Sequence, residues 1–140
     1  MKYLLDSNIV SEASKPSPNS KVVEQLNILG FDSVLSSVTA FELLYGVNLL
    51  PAGVRKERLQ AYLSELVFPF YEVLPYDFKC SKVHADVLAK LRSVGLMIPY
   101  QDSQIAAVAL ANNLVLVTRN EKDFEPVAQY FPLKIENWFD

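Results

Sequence analysis

The feature that most constrains this chain is an alternation. Short unbroken apolar runs are separated by longer stretches whose apolar residues recur at spacings of three and four. Leu114-Val115-Leu116-Val117-Thr118 is the clearest run, and residues 2–5, 33–36 and 71–74 are shorter ones. Runs this short, bounded by turn-forming residues, read as buried strands rather than helices. After the loop at 15–20, Asn19 or Ser20 caps a helix covering Val22, Val23, Leu26 and Ile28. Further helices are predicted over 39–50, which Pro51 stops, and over 52–67. Cys80, Val83, Val87, Leu91 and Val94 line one face of a long helix that Gly95 ends. Residues 105–111 are apolar on every side, the mark of a buried helix. Strands alternating with helices predict an α/β fold, a parallel sheet with helices on both faces. Ligands of such sheets gather beyond the carboxyl ends of the strands, so chemistry is to be sought there.

At 140 residues the chain suits one domain spanning 1–140. With 51% apolar and 21% charged residues it can bury a core, which excludes a disordered or collagen-like polymer. The lone Cys80 rules out an internal disulfide framework, and with His84 as the lone histidine no Cys/His zinc cluster can be assembled. Any bound metal must be held by oxygen. Met1–Asp6 turns charged after three apolar residues, too soon for a signal peptide, and no apolar run approaches the roughly 18–20 residues of a membrane span. The expected location is cytoplasmic. A net charge of −3 argues against a broad nucleic-acid-coating surface but not against local basic contacts.

Four acids stand where the fold expects chemistry. Asp6 ends the first strand, Asp102 opens the buried helix, and Asp123 follows the last clear strand. Glu42 is the only charged residue between positions 33 and 54. Carboxylates gathered at one point repel unless a cation neutralises them, and hard oxygen ligands alone select Mg²⁺ or Mn²⁺. Such a centre suits phosphodiester hydrolysis. Each acid also has a plainer reading. Thr39-Ala40-Phe41-Glu42 fits a capping box, Asp102 fits the N-cap of a helix starting at Ser103, Asn120 fits another N-cap with Asp123 in its first turn, and Asp6-Ser7-Asn8 fits an Asx turn.

His84, on the apolar face of its helix, reads as a packed and hydrogen-bonded histidine, and Cys80 as a small buried hydrophobe. Arg55-Lys56-x-Arg58 reads first as a solvated helix face and second as a phosphate-contacting patch. Arg119 and Lys122, beside the acids, are better placed to touch phosphate. The aromatic stretch 68–71 reads as packing before base stacking.

At these residues the sequence resembles the PIN-domain ribonucleases, and among them the VapC toxins of toxin–antitoxin pairs. Tyr3-Leu4-Leu5-Asp6-Ser7-Asn8-Ile9 resembles the family's opening strand and D-[ST]-N block. The segment from Ser36 to Gly46 resembles S-x-x-[ST]-x-x-E-L-x-x-G, and Ile98 to Ala109 resembles I-P-x-x-D-x-x-I-A-A-x-A. Leu116 to Phe124 resembles L-V-T-x-N-x-x-[DE]-F. The resemblance implies a three-layer α/β/α domain with a mainly parallel sheet that cleaves RNA endonucleolytically. It implies that Asp6 and Asp102 carry the divalent ion, that Glu42 completes the cluster directly or through water, and that Asp123 is the fourth acid. Ser7, Asn8, Thr118 and Asn120 would support them. Asn120 stands where some members have an aspartate, and it cannot act as a base. The resemblance further implies a homodimer and a VapB-like antitoxin that supplies any contact with operator DNA. Three other readings compete: a phosphoacceptor receiver domain, for which the paired acids and the lysine are missing; an inactive RNA-binding scaffold; and an RNA-maturation nuclease with no antitoxin.

Overall fold

The computed structural model describes residues 1–140. Five parallel strands form one sheet in the order β3-β2-β1-β4-β5. They are β1 (Tyr3–Leu5), β2 (Ser33–Ser36), β3 (Val73–Leu74), β4 (Val115–Val117) and β5 (Ile135–Glu136). Seven helices surround them: α1 (Ser7–Glu12), α2 (Ser20–Leu29), α3 (Ser37–Asn48), α4 (Val54–Ala61), α5 (Phe78–Ser93), α6 (Tyr100–Ala111) and α7 (Glu121–Tyr130). β1 pairs with β2 on one side and β4 on the other, with Leu4 opposite both Val34 and Leu116.

The strand side chains alternate between two cores, as the period of two demands. Leu4, Val34 and Leu116 face a cluster completed by α5, α6 and α7 through Val87, Ile105 and Phe124. Tyr3, Leu5, Leu35, Val115 and Val117 face the opposite cluster, completed by α1 to α3 through Ile9, Val22 and Leu43. A strand buried on both faces has no polar side to present, which is why these runs are continuously apolar. The three-layer α/β/α architecture implied by the motifs is the one observed, and every strand pair is parallel.

Several boundaries differ from the sequence reading. α1 begins within the Asp6-Ser7-Asn8 stretch that fits an Asx turn, and α6 begins at Tyr100, directly after Pro99, rather than at Ser103. β5 had no sequence signal, being two residues long. The helix expected over 52–67 changes pitch on the way, because α4 runs into a π-helical turn at Tyr62–Val67. Gly95 does end α5: its φ of 73° lets Leu96 N–H reach back to the Leu91 carbonyl at 2.9 Å. No helix is long and apolar enough to cross a membrane.

Candidate active site at the carboxyl edge of the sheet

Chain order runs outward from β1 through β2 to β3 and then returns to β4 on the other side of β1. The carboxyl ends of β1 and β4 therefore flank the switch point, where open α/β sheets leave a crevice. Asp6 follows β1 directly and is only 4% exposed. It is also the N-cap of α1, so it is fixed from three directions. Its Oδ1 accepts from Ser7 N–H at 2.8 Å, and its Oδ2 accepts from the Thr118 hydroxyl at 2.9 Å and from Asn8 Nδ2 at 3.3 Å. Thr118, fully buried at the end of β4, also accepts from Asn120 N–H at 3.0 Å. Asn8 Oδ1 accepts from Arg119 N–H at 3.0 Å, so Asn8 and Thr118 together tie the end of β1 to the end of β4.

α3 carries Glu42 to this edge. Its N-cap is Ser36, whose hydroxyl accepts from Thr39 N–H at 3.0 Å. The capping box expected between Thr39 and Glu42 is therefore not formed: the cap stands three residues earlier, which places Glu42 beyond the first turn. Glu42 Oε1 is buried without a hydrogen-bond partner. Asp102 likewise does not cap α6. It lies in the first turn of a helix that begins at Tyr100, and its carboxylate accepts no hydrogen bond from the protein. Asn120 does occupy the N-cap position of α7, but its side chain caps nothing, and Asp123 stands exposed in the first turn.

The acids feel one another. Burial, then the charges of Asp6 and Asp102, push the Glu42 carboxyl up to about 7. Burial, then Asp6 and Asp123, push Asp102 up to about 6. Asp6 is also raised, chiefly by burial, despite three hydrogen bonds that favour its charged form. An uncompensated cluster of this kind calls for positive charge, and Glu42 Oε1 is an acceptor with nothing to accept from. No three acidic, imidazole or thiol side chains stand close enough to close around one ion by themselves. Mg²⁺ keeps several of its waters and is commonly held by one or two carboxylates, so an oxygen-only set of this composition fits a hydrated hard cation.

His84 is 4% exposed, with Nδ1 2.6 Å from the Tyr76 hydroxyl and Nε2 2.8 Å from the Ser103 hydroxyl. It is a packed, hydrogen-bonded histidine that anchors the residue after Asp102. Cys80 is buried, and burial raises its thiol. Phe68 packs against a core cluster, and Phe70 meets Tyr71 edge to face. The Arg119 guanidinium lies 4.5 Å over the Phe139 ring, while Lys122 is exposed with no carboxylate partner. Lys15, Ser11 and Ser14, not singled out by sequence, line a cavity of about 400 Å³ that reaches Ser7 and Glu42. Arg55 and Arg58 line it too, whereas Lys56 points away to the Asn48 carbonyl at 3.3 Å. Only the three-dimensional arrangement of α1, α3 and α4 brings these residues together.

The family model for the PIN domain matches residues 3–129. The chain belongs to the PIN-domain family. Relatives of this PIN protein include the plasmid stability protein StbB of Pseudomonas syringae pathovar tomato, 37% identical over 87% of this chain and 90% of StbB. The ribonuclease VapC2 of Rickettsia felis is 32% identical over 99% of this chain and 98% of its own length. Among solved structures, VapBC2 from Rickettsia felis bound to a DNA fragment from their promoter superposes with a TM-score of 0.82, at 31% identity over 99% of both chains.

Proposed function

We propose that this PIN protein is a metal-dependent endoribonuclease of the VapC type, the toxin of a toxin–antitoxin pair. The observation that carries the reading is the influence that the charges of Asp6, Glu42, Asp102 and Asp123 exert on one another, with Glu42 Oε1 buried and unpartnered. The likeness to a named VapC ribonuclease over nearly the whole chain supports it. Asp6 and Asp102 hold Mg²⁺ or Mn²⁺, with Glu42 and Asp123 contributing directly or through water. When bound, that ion neutralises the cluster, activates water and stabilises charge on the phosphate and the leaving oxygen. Asp6 is presented rigidly by Ser7, Asn8 and Thr118, so little reorganisation remains at the moment of reaction. Glu42, whose proton affinity lies near neutrality, takes the proton released by the attacking water. Asp102 projects from the first turn of α6, whose backbone N–H groups also favour a phosphate nearby. Asn120 contributes hydrogen bonding but no base.

A VapB-like antitoxin and, through it, promoter DNA are the expected partners, as the likeness to the DNA-bound VapBC2 supports. A homodimer working in the cytoplasm on structured RNA such as transfer RNA fits the same reading. The test is incubation of the purified chain with total cellular RNA, with Mg²⁺, with Mn²⁺ and with EDTA, beside Asp6→Asn and Asp102→Asn. Discrete fragments that vanish with EDTA and in both folded variants are expected. Intact RNA from a folded, metal-supplied protein would instead favour an RNA-binding scaffold, and cleavage surviving both substitutions would move the chemistry elsewhere.

A further inference from the structure

The cavity beside the acids has a charge pattern of its own. Its lining includes Glu42 and Ser7, beside the acidic cluster, and Arg55 and Arg58 on α4. The hydroxyl-bearing residues Ser11, in α1, and Ser14, just beyond it, line it as well. Lys15 also lines the cavity, but its ammonium is held 2.9 Å from Glu12 Oε1, so its charge is already matched. Arg55 and Arg58 are exposed and have no carboxylate within 4 Å, in a chain whose net charge is negative. Three apart on a helix, two guanidinium groups face the same way and repel each other. α4 buries no residue completely, so it is held at the cavity's rim by partial contacts and by the turn that follows it. That π-helical turn carries Tyr62, whose hydroxyl donates to the Val10 carbonyl at 2.7 Å and pins the rim to α1.

A groove that reaches the acidic cluster and is lined by hydroxyls and two unmatched guanidinium groups suits a chain of phosphodiesters. A planar guanidinium matches phosphate oxygens two at a time, and such contacts set register rather than read sequence. We infer that the groove between α1, α3 and α4 holds the RNA backbone flanking the scissile bond, with Arg55 and Arg58 contacting phosphate there. The inference rests on the ribonuclease reading and adds to it the surface that the flanking backbone follows. An acidic peptide is the weaker occupant, because its carboxylates would be carried toward Glu42 and meet repulsion that a cation-bridged phosphate does not.

The test pairs Arg55→Gln/Arg58→Gln with Arg55→Lys/Arg58→Lys in the full chain, with Arg92→Gln on α5 as a control outside the groove. Two readouts are used: kcat and KM for RNA cleavage, and anisotropy of a fluorescein-labelled single-stranded RNA with each variant built on Asp102→Asn. The Gln pair is expected to raise KM and leave kcat within about twofold. Losing two contacts at a slope of about 0.7 each makes RNA affinity about sevenfold less sensitive to a fourfold rise in salt. The Lys pair, which keeps the charge, retains the salt slope. If wild-type protein cuts RNA but the Gln pair keeps its KM and its slope, the groove assignment falls while the ribonuclease reading stands. If the wild type neither binds nor cuts RNA, both fall. Loss of binding to a glutamate-rich peptide with no change toward RNA would likewise overturn the assignment, giving the groove to an acidic partner.

Discussion

Thr118 uses one hydroxyl three ways: it donates to Asp6 Oδ2 and accepts from Asn120 N–H and, more distantly, from Asn8 Nδ2. Valine has the same shape and none of these bonds. Thr118→Val should destabilise the protein by about 1–3 kcal/mol, because it leaves buried polar groups unmatched, whereas Thr118→Ser should recover most of the loss. Urea unfolding of the three proteins measures this, and RNA cleavage by the folded variants reports whether Asp6 has lost its anchor. Glu42 and Asp102 make the opposite contribution. Both hold a proton more tightly in the folded protein than an ordinary carboxyl does. Their stabilising effect is complete below the ordinary carboxyl range and is lost as pH rises through about 6 and about 7. In EDTA the melting temperature should therefore fall between about pH 5 and about pH 8, and Glu42→Gln should flatten that fall. An unchanged slope in Glu42→Gln would mean that Glu42 is charged in the folded protein throughout that range.

Among the elements, α3 connects fold to chemistry most directly, since its N-cap follows β2 and its body carries Glu42. Ser36→Ala removes the hydroxyl that accepts from Thr39 N–H and should cost about 1 kcal/mol, read as a lower melting temperature. If helix position matters to the site, cleavage should fall further than the lost stability explains. Ser36 also marks a limit of the sequence reading. Three serine or threonine residues stand within four positions here, each a chemically acceptable cap, and the sequence alone does not say which one the sheet delivers first. Asp102 misled in the same way, since it read as the N-cap of a helix starting at Ser103, whereas Pro99 stands at that position and α6 begins at Tyr100. β1, β2 and β4 were legible because burial on both faces leaves an unbroken apolar run. β3 and β5 were only partly so or not at all, because a two-residue edge strand takes its identity from its neighbour's hydrogen bonds. The four acids were visible as positions, and the motifs joined them into a site. The groove cations were visible only as charges, because their meeting with Ser11 and Ser14 depends on how α1, α3 and α4 surround one cavity.

For the whole molecule, the mutual repulsion of the acids makes stability depend on what neutralises them. Mn²⁺ or Mg²⁺ should raise the melting temperature of the wild type, more at about pH 8 than at about pH 6, where protonation already relieves the cluster. Asp6→Asn should abolish that rise, and an equal rise in the variant would place the ion elsewhere. The central position of β1 has a further consequence for how the molecule comes into being. Asp6 follows the first strand directly, yet its hydroxyl partner Thr118 lies 112 residues downstream. A nascent chain short of β4 has no wall on that side of the first strand, and no hydrogen bond across the switch point. A chain made only as far as α6 therefore carries Asp6, Glu42 and Asp102 without the frame that aligns them, and the switch point closes only once β4 has been added.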